Sequence, residues 1–144
     1  MGILYSVAGI VLAIDQLTKF FAVLYLKPAT SIPIVPNVFH LSFVENSGIA
    51  FGFFQGHPEF WTWLITASVL CLFIASFFFR DQPRSHQVAF AFILGGAMGN
   101  WIDRIRVDRV IDFFDFRIWP VFNLADSFIT IGALLFIWFA LKGR

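Results

Sequence analysis

Hydrophobic and polar positions along this chain fall into long apolar blocks separated by short polar interruptions. A bilayer-spanning helix needs about 20 predominantly apolar residues, and four blocks meet that length. They run roughly from Gly2 to Leu26, Glu59 to Phe79, Gln87 to Ile105 and Asn123 to Leu141. The second carries no charge after Glu59, whereas the first is interrupted by Asp15 and Lys19. The first block also lacks a basic leading region and a small-residue cleavage site, so it reads as a retained span. Between the second and third blocks lies "RDQPRSH", short and polar. Between the first and second lie roughly 30 residues punctuated by Pro28, Pro33, Pro36 and Pro58. That stretch contains a β-leaning run, "VFHLSFVE", followed by "NSGIAFG". It is too apolar for a flexible linker and too broken for a helix, which predicts a small sheet at the membrane surface. The expected fold class is an α-helical integral membrane protein, with four transmembrane helices and a small β-like segment between helices 1 and 2. No repeat or low-complexity tract divides the chain, so residues 1–144 read as a single domain.

Composition points the same way. Hydrophobic residues make up 59% and charged residues only 13%, against about 25% charged in an ordinary globular domain. The mean hydropathy of +0.81 and 21 phenylalanines belong to a chain surrounded by lipid. A net charge of +1 provides no basic field for nucleic acid. Cys71 stands alone in an apolar run, which excludes an internal disulfide and suggests a packed thiol. His40, His57 and His86 are scattered, and neither HExxH nor CxxC occurs, so no metal site is expected. Arg80, Arg84, Lys142 and Arg144 fall on one side of the predicted spans, and Lys27, Arg106, Arg109 and Arg117 on the other. The positive-inside count therefore leaves orientation open, although an even number of spans puts both termini on one side.

Ionisable groups at membrane depth are functional candidates because each costs about 2.5–3.5 kcal/mol at a helix centre. "DQLTK" sets Asp15 and Lys19 four apart, the favourable order for a helical ion pair, either self-neutralising or part of a site. "ENSGIAFG" offers Asn46 with Gly48 and Gly52, a plain turn or a point of close backbone approach. In "GGAMGNWIDR" the glycines admit a neighbouring helix, with Gly96 and Gly99 on adjoining positions of one face. Asn100, Asp103 and Arg104 gather on one side of the last turn there, and the Arg104 fork suits a carboxylate or a peptide carbonyl. "FNLADSF" gives Asn123 and Asp126 the spacing of a helix cap. In "VIDFFDF", Asp112 and Asp115 could each face water. If the connection folds back, however, Asp112 and Asp126 meet at the membrane boundary and share a proton, as paired carboxylates must. Such a dyad can act as base on a water and as acid on a substrate.

The ordered set "DQLTK", "ENSGIAFG", "GGAMGNWIDR", "VIDF" and "FNLAD" closely resembles the lipoprotein signal peptidases, bacterial signal peptidase II, from Asp15 to Asp126. The resemblance implies a four-span aspartic endopeptidase of the bacterial inner membrane. Its termini would be cytoplasmic, its β-like segment extracytoplasmic and its active site at the periplasmic face. It would remove the signal peptide of a prolipoprotein just before a diacylglyceryl-bearing cysteine. Asp112 and Asp126 would be the catalytic acids, and Asn46 and Arg104 would hold the substrate main chain. Asn100 and Asn123 would orient the acids, Asp15 and Lys19 would give structural support, and Asp103 would support the Arg104 cluster. The expected partners are the prolipoprotein and membrane lipids, with the chain acting as a monomer, without cofactor, metal or nucleic acid. A proton-coupled carrier or a helix-packing assembly factor would also hold intramembrane carboxylates. Carriers commonly show broken helices and internal repeats, which this chain lacks.

Overall fold

The structure, a computed structural model, describes residues 2–48 and 58–142. Gly52 of the "ENSGIAFG" motif and His57 lie outside the described residues. Helix α1 spans Gly2–Ala29. It loosens into a single π turn over Ala22–Leu26 before its last turn, and Thr30, at a φ of 61°, ends it and throws the chain into a sheet. Strands β1 (Ser31–Val35) and β2 (Phe39–Asn46) form an antiparallel hairpin. Pro33 is tolerated because β1 is an edge strand of a sheet ordered β1-β2-β3. Helices α2 (Pro58–Phe79) and α3 (Arg84–Val107) follow, joined by the short polar turn. Strand β3 (Val110–Asp115) then pairs antiparallel with β2, and helix α4 (Leu124–Lys142) closes the fold.

The third strand departs from the sequence expectation, which confined β structure to the segment between the first two helices. "VIDFFD" does not alternate because both of its faces are covered, so the pattern of a half-exposed strand is lost. Phe113 packs on one side against Ala22 and Leu26 at the end of α1. Asp112 is 1% exposed, a burial incompatible with the alternative that it faces water.

Helices α1 and α2 are each long and apolar enough to cross a membrane, and α4 carries a shorter apolar run over Leu124–Phe139. Large apolar side chains such as Trp63, Leu70, Phe78, Leu134 and Leu141 point outward. An apolar exterior of this extent is solvated by lipid rather than by water. Helix α3 carries more polar residues because it is the central element, packed against α1, α2 and α4. Leu4 and Ala8 of α1 meet Phe90, Ala91 and Leu94 of α3 in the larger buried cluster. Tyr5 and Ser76 share a hydroxyl hydrogen bond of 2.9 Å between α1 and α2, and Trp101 Nε1 donates to Thr66 Oγ1 at 2.9 Å between α3 and α2. Close approach along α3 depends on small residues, as van der Waals contact rather than water exclusion drives helix association in lipid. The expectation that Gly96 and Gly99 serve one face is corrected here. Gly96 faces Ala125 of α4, whereas Gly95 and Gly99, one turn apart, face Ala8 and Asp15 of α1.

Candidate active site

Five elements deliver polar side chains to one buried region, where the bundle meets the sheet. Strand β3 contributes Asp112 and the end of β2 contributes Asn46. Helix α1 brings Asp15 and Lys19, α3 brings Asn100, Asp103 and Arg104, and the start of α4 brings Asn123 and Asp126.

Asp112 accepts one amide N–H at each carboxylate oxygen. Asn46 Nδ2 donates to Oδ2 at 2.8 Å, and Asn123 Nδ2 donates to Oδ1 at 2.7 Å. Burial nevertheless pushes its pKa up to about 7, with the Asp126 charge adding to the rise and the Asn46 and Asn123 hydrogen bonds opposing it. Desolvation wins because two neutral donors replace only part of the hydration of a carboxylate. Asp126 also accepts at both oxygens, from Asn100 Nδ2 at 2.8 Å and from the backbone N–H of Asn123 at 3.2 Å. In return the Asp126 backbone N–H donates to Asn123 Oδ1 at 2.9 Å. This reciprocal pair is a capping box at the start of α4, as the sequence spacing suggested. Unlike Asp112, Asp126 opens onto a cleft of about 360 Å³ lined by Trp119, Phe122, Ser127, Thr130 and Ile131.

Behind the carboxylates lies a buried ionic group. Lys19 Nζ stands 2.9 Å from Asp15 Oδ2, 2.8 Å from Asp103 Oδ2 and 3.0 Å from Asn100 Oδ1, which occupies all three ammonium donors. Asp15 Oδ1 accepts the Ala125 backbone N–H at 2.9 Å, tying α1 to the first turn of α4. The carboxylate of Asp15 occupies the space beside Gly99 where any side chain would project. Asp103, expected to support the Arg104 cluster, does place its charge near Arg104, while its hydrogen bonds go to other groups. Besides Lys19 it accepts the Ile111 N–H at 3.2 Å and Gln16 Nε2 at 3.1 Å. Gln16, which the sequence reading passed over, also donates to Gly99 O at 3.1 Å. Gln16 stands inside the "DQLTK" motif, but only the fold shows which groups its amide reaches.

Arg104 is 4% exposed, and its Nε and Nη1 find no acceptor among the described residues. Its Nη2 lies against Gly48, whose φ of +94° suits glycine and whose missing side chain leaves room for the guanidinium. A buried cation with idle donors is costly unless something binds them. Asp115 belongs to a separate cluster on the sheet. It accepts Ser42 Oγ at 2.8 Å and the Arg117 backbone N–H at 2.9 Å, and these bonds, the Arg117 backbone first, hold its carboxyl below the usual range. Among the described residues no three His, Cys, Asp or Glu side chains form a group able to hold a metal ion.

Residues 7–142 match the family described as Signal peptidase (SPase) II. The lipoprotein signal peptidase of Halothermothrix orenii is 42% identical over 134 residues, covering 92% of this chain and 91% of that protein. The lipoprotein signal peptidase of Caldanaerobacter subterraneus subsp. tengcongensis is 43% identical over 130 residues, covering 90% and 89%. A bacterial membrane enzyme solved at 1.9 Å by the in meso method superposes with a TM-score of 0.84 at 31% identity, covering all of this chain and 96% of that one. A second, solved at 2.3 Å, gives a TM-score of 0.83 at 32% identity, with 99% and 89% covered.

Proposed function

The chain belongs to the signal peptidase II family of aspartic proteases, and we propose from that membership that Asp112 and Asp126 are its catalytic pair. It removes signal peptides from prolipoproteins. The observation that carries the assignment of the pair is the convergence of four N–H donors on two carboxylates, one of them pushed up to about 7. Titrating at about 7, Asp112 keeps its proton in a large share of molecules at neutral pH, the state in which it can act as acid beside a base. Asp126, open to the cleft, takes a proton from the attacking water. Asp112, protonated, gives its proton to the scissile carbonyl and so stabilises the charge developing on that oxygen. Collapse of the tetrahedral diol reverses the transfers, the amine leaving with the proton that Asp126 gained. Asn46 and Arg104, whose Nε and Nη1 find no acceptor among the described residues, hold the substrate main chain. Asn100 and Asn123 orient the acids, while Asp15, Lys19 and Asp103 tie α1 and α3 together beneath them.

The finer reading is a single domain of four spans, α1 to α4, in the bacterial inner membrane. Both termini are cytoplasmic, the sheet and the dyad lie at the outer face, and the chain acts as a monomer among lipids. Cleavage falls before a diacylglyceryl-modified cysteine. Such a substrate is held in the bilayer by its own lipid and reaches the cleft beside Asp126 laterally. Incubating the purified chain with a diacylglyceryl-modified prolipoprotein should produce the mobility shift of signal-peptide loss, with the unmodified precursor left intact. An unchanged modified substrate would overturn this reading.

A further inference from the structure

Three asparagines deliver amide N–H groups to the two carboxylates, and each has its carbonyl end held by a group that can only donate. The Gly48 backbone N–H holds Asn46 Oδ1 at 2.8 Å, and the Asp126 backbone N–H holds Asn123 Oδ1 at 2.9 Å. The Lys19 ammonium holds Asn100 Oδ1 at 3.0 Å. A side-chain amide has one accepting end and one donating end, so an obligate donor at its oxygen turns its nitrogen the other way. There Asn46 and Asn123 meet Asp112, and Asn100 meets Asp126 Oδ1 at 2.8 Å. Two of the three holds are main-chain groups, fixed by a turn and by a helix start. The third is a side chain on a different helix from the amide it holds.

We propose that Lys19 is a positioning residue for the reaction, which fixes the Asn100 amide and thereby keeps a donor on Asp126 Oδ1. With that oxygen occupied, the carboxylate presents its remaining lone pairs to the cleft from which water attacks. Without the ammonium, Asn100 can turn its carbonyl toward Asp126, and two facing oxygens drive the carboxylate out of its pose. Asn123 Nδ2 also reaches Asn100 Oδ1, at 3.0 Å, but a neutral donor is roughly half as strong as a charged one. Losing Lys19 therefore weakens the arrangement without abolishing it. Charge balance is the competing role, since the groups facing Lys19 include Asp15 of α1 and Asp103 of α3, with Arg104 of α3 and Asp112 of β3 nearby.

This inference rests on the peptidase reading, and one set of measurements separates the two. The full chain, wild type and variant, is assayed by steady-state cleavage of diacylglyceryl-modified prolipoprotein, alongside thermal unfolding. Lys19→Met/Asp103→Asn removes the ammonium with one of its acids and so leaves the local net charge unchanged. It should unfold close to Asp103→Asn alone yet lose roughly a further ten- to hundredfold in kcat relative to that single variant, the scale of a hydrogen bond to a charged group, with KM within about twofold. Lys19→Gln keeps an N–H donor without the charge and should recover most of the kcat lost in Lys19→Met. A double variant with the kcat of Asp103→Asn would overturn the proposal and leave charge balance as the whole role of Lys19. Equal kcat in Lys19→Gln and Lys19→Met would also overturn it, whatever the stability of the double variant. Failure of the wild-type chain to cleave would overturn the peptidase reading instead.

Discussion

Five aspartates lie between Asp103 and Asp126, and their surroundings assign them different work. Asp112→Asn and Asp126→Asn should each lower turnover by about 10²–10⁴-fold, because an amide neither accepts the water proton nor returns one. Asp115→Asn should stay near wild type, since Asp115 binds Ser42 and Arg117 away from the pair. Asp108→Asn should too, because Asp108 sits at a φ of 55°, where asparagine is equally at ease. Asp103→Asn should fall between, having lost part of its hold on Lys19. Kinetics of the modified substrate at matched folded protein would check this ranking. The raised Asp112 value adds a pH signature. In the unfolded chain this carboxyl titrates near 3.8 and in the fold at about 7, so between those values the native state holds the extra proton. Stability conferred by that proton is complete below the lower value and lost as pH rises through the upper one. Asp112→Asn removes this dependence and should gain in thermal stability over wild type, on the order of a few kcal/mol, as the buffer passes from about 4 to above 7. Activity of the wild-type chain should fall on the alkaline side as the shared proton leaves, with an apparent value belonging to the pair.

At the scale of elements, the helices follow from long apolar blocks, and the boundaries of α2 and α4 fall within a residue or two of those the pattern marks. The cap at Asn123 was equally legible, because i, i+3 spacing is a local property. What escaped were contacts made across the fold. Strand β3 lost its alternation to burial on both faces, and the Asp103 partnership with Lys19 joins two helices that no local period links. The glycine pattern was read as a single smooth face, yet α3 lies between two helices and divides its glycines between them. Gly99→Ala tests that division. The added methyl would run into the Asp15 carboxylate, and overpacking of this kind costs about 1–3 kcal/mol. The variant should unfold at lower temperature and lose activity as Asp15 is displaced from Ala125. Gly9→Ala, where the same methyl meets open space, should do neither.

For the whole molecule, the proposed orientation is open to a direct test. In a Cys71→Ala background, that orientation would put single cysteines at Arg84 and at Pro36 in the hairpin turn on opposite sides of the membrane. An impermeant thiol reagent added outside should label Pro36→Cys and spare Arg84→Cys, and the reverse pattern would invert the topology. The hydrogen bond from Ala125 to Asp15 has a further consequence for how the protein is made. It closes a loop of 110 residues, and the amide of Asn123 reaches Asp112 only once α4 has docked. Asp126 itself stands on α4, so the proposed pair is incomplete until that helix lies against α1 and α3. On the proposed assignment, a chain whose α4 has not docked is no protease, because hydrolytic power depends on closing this contact.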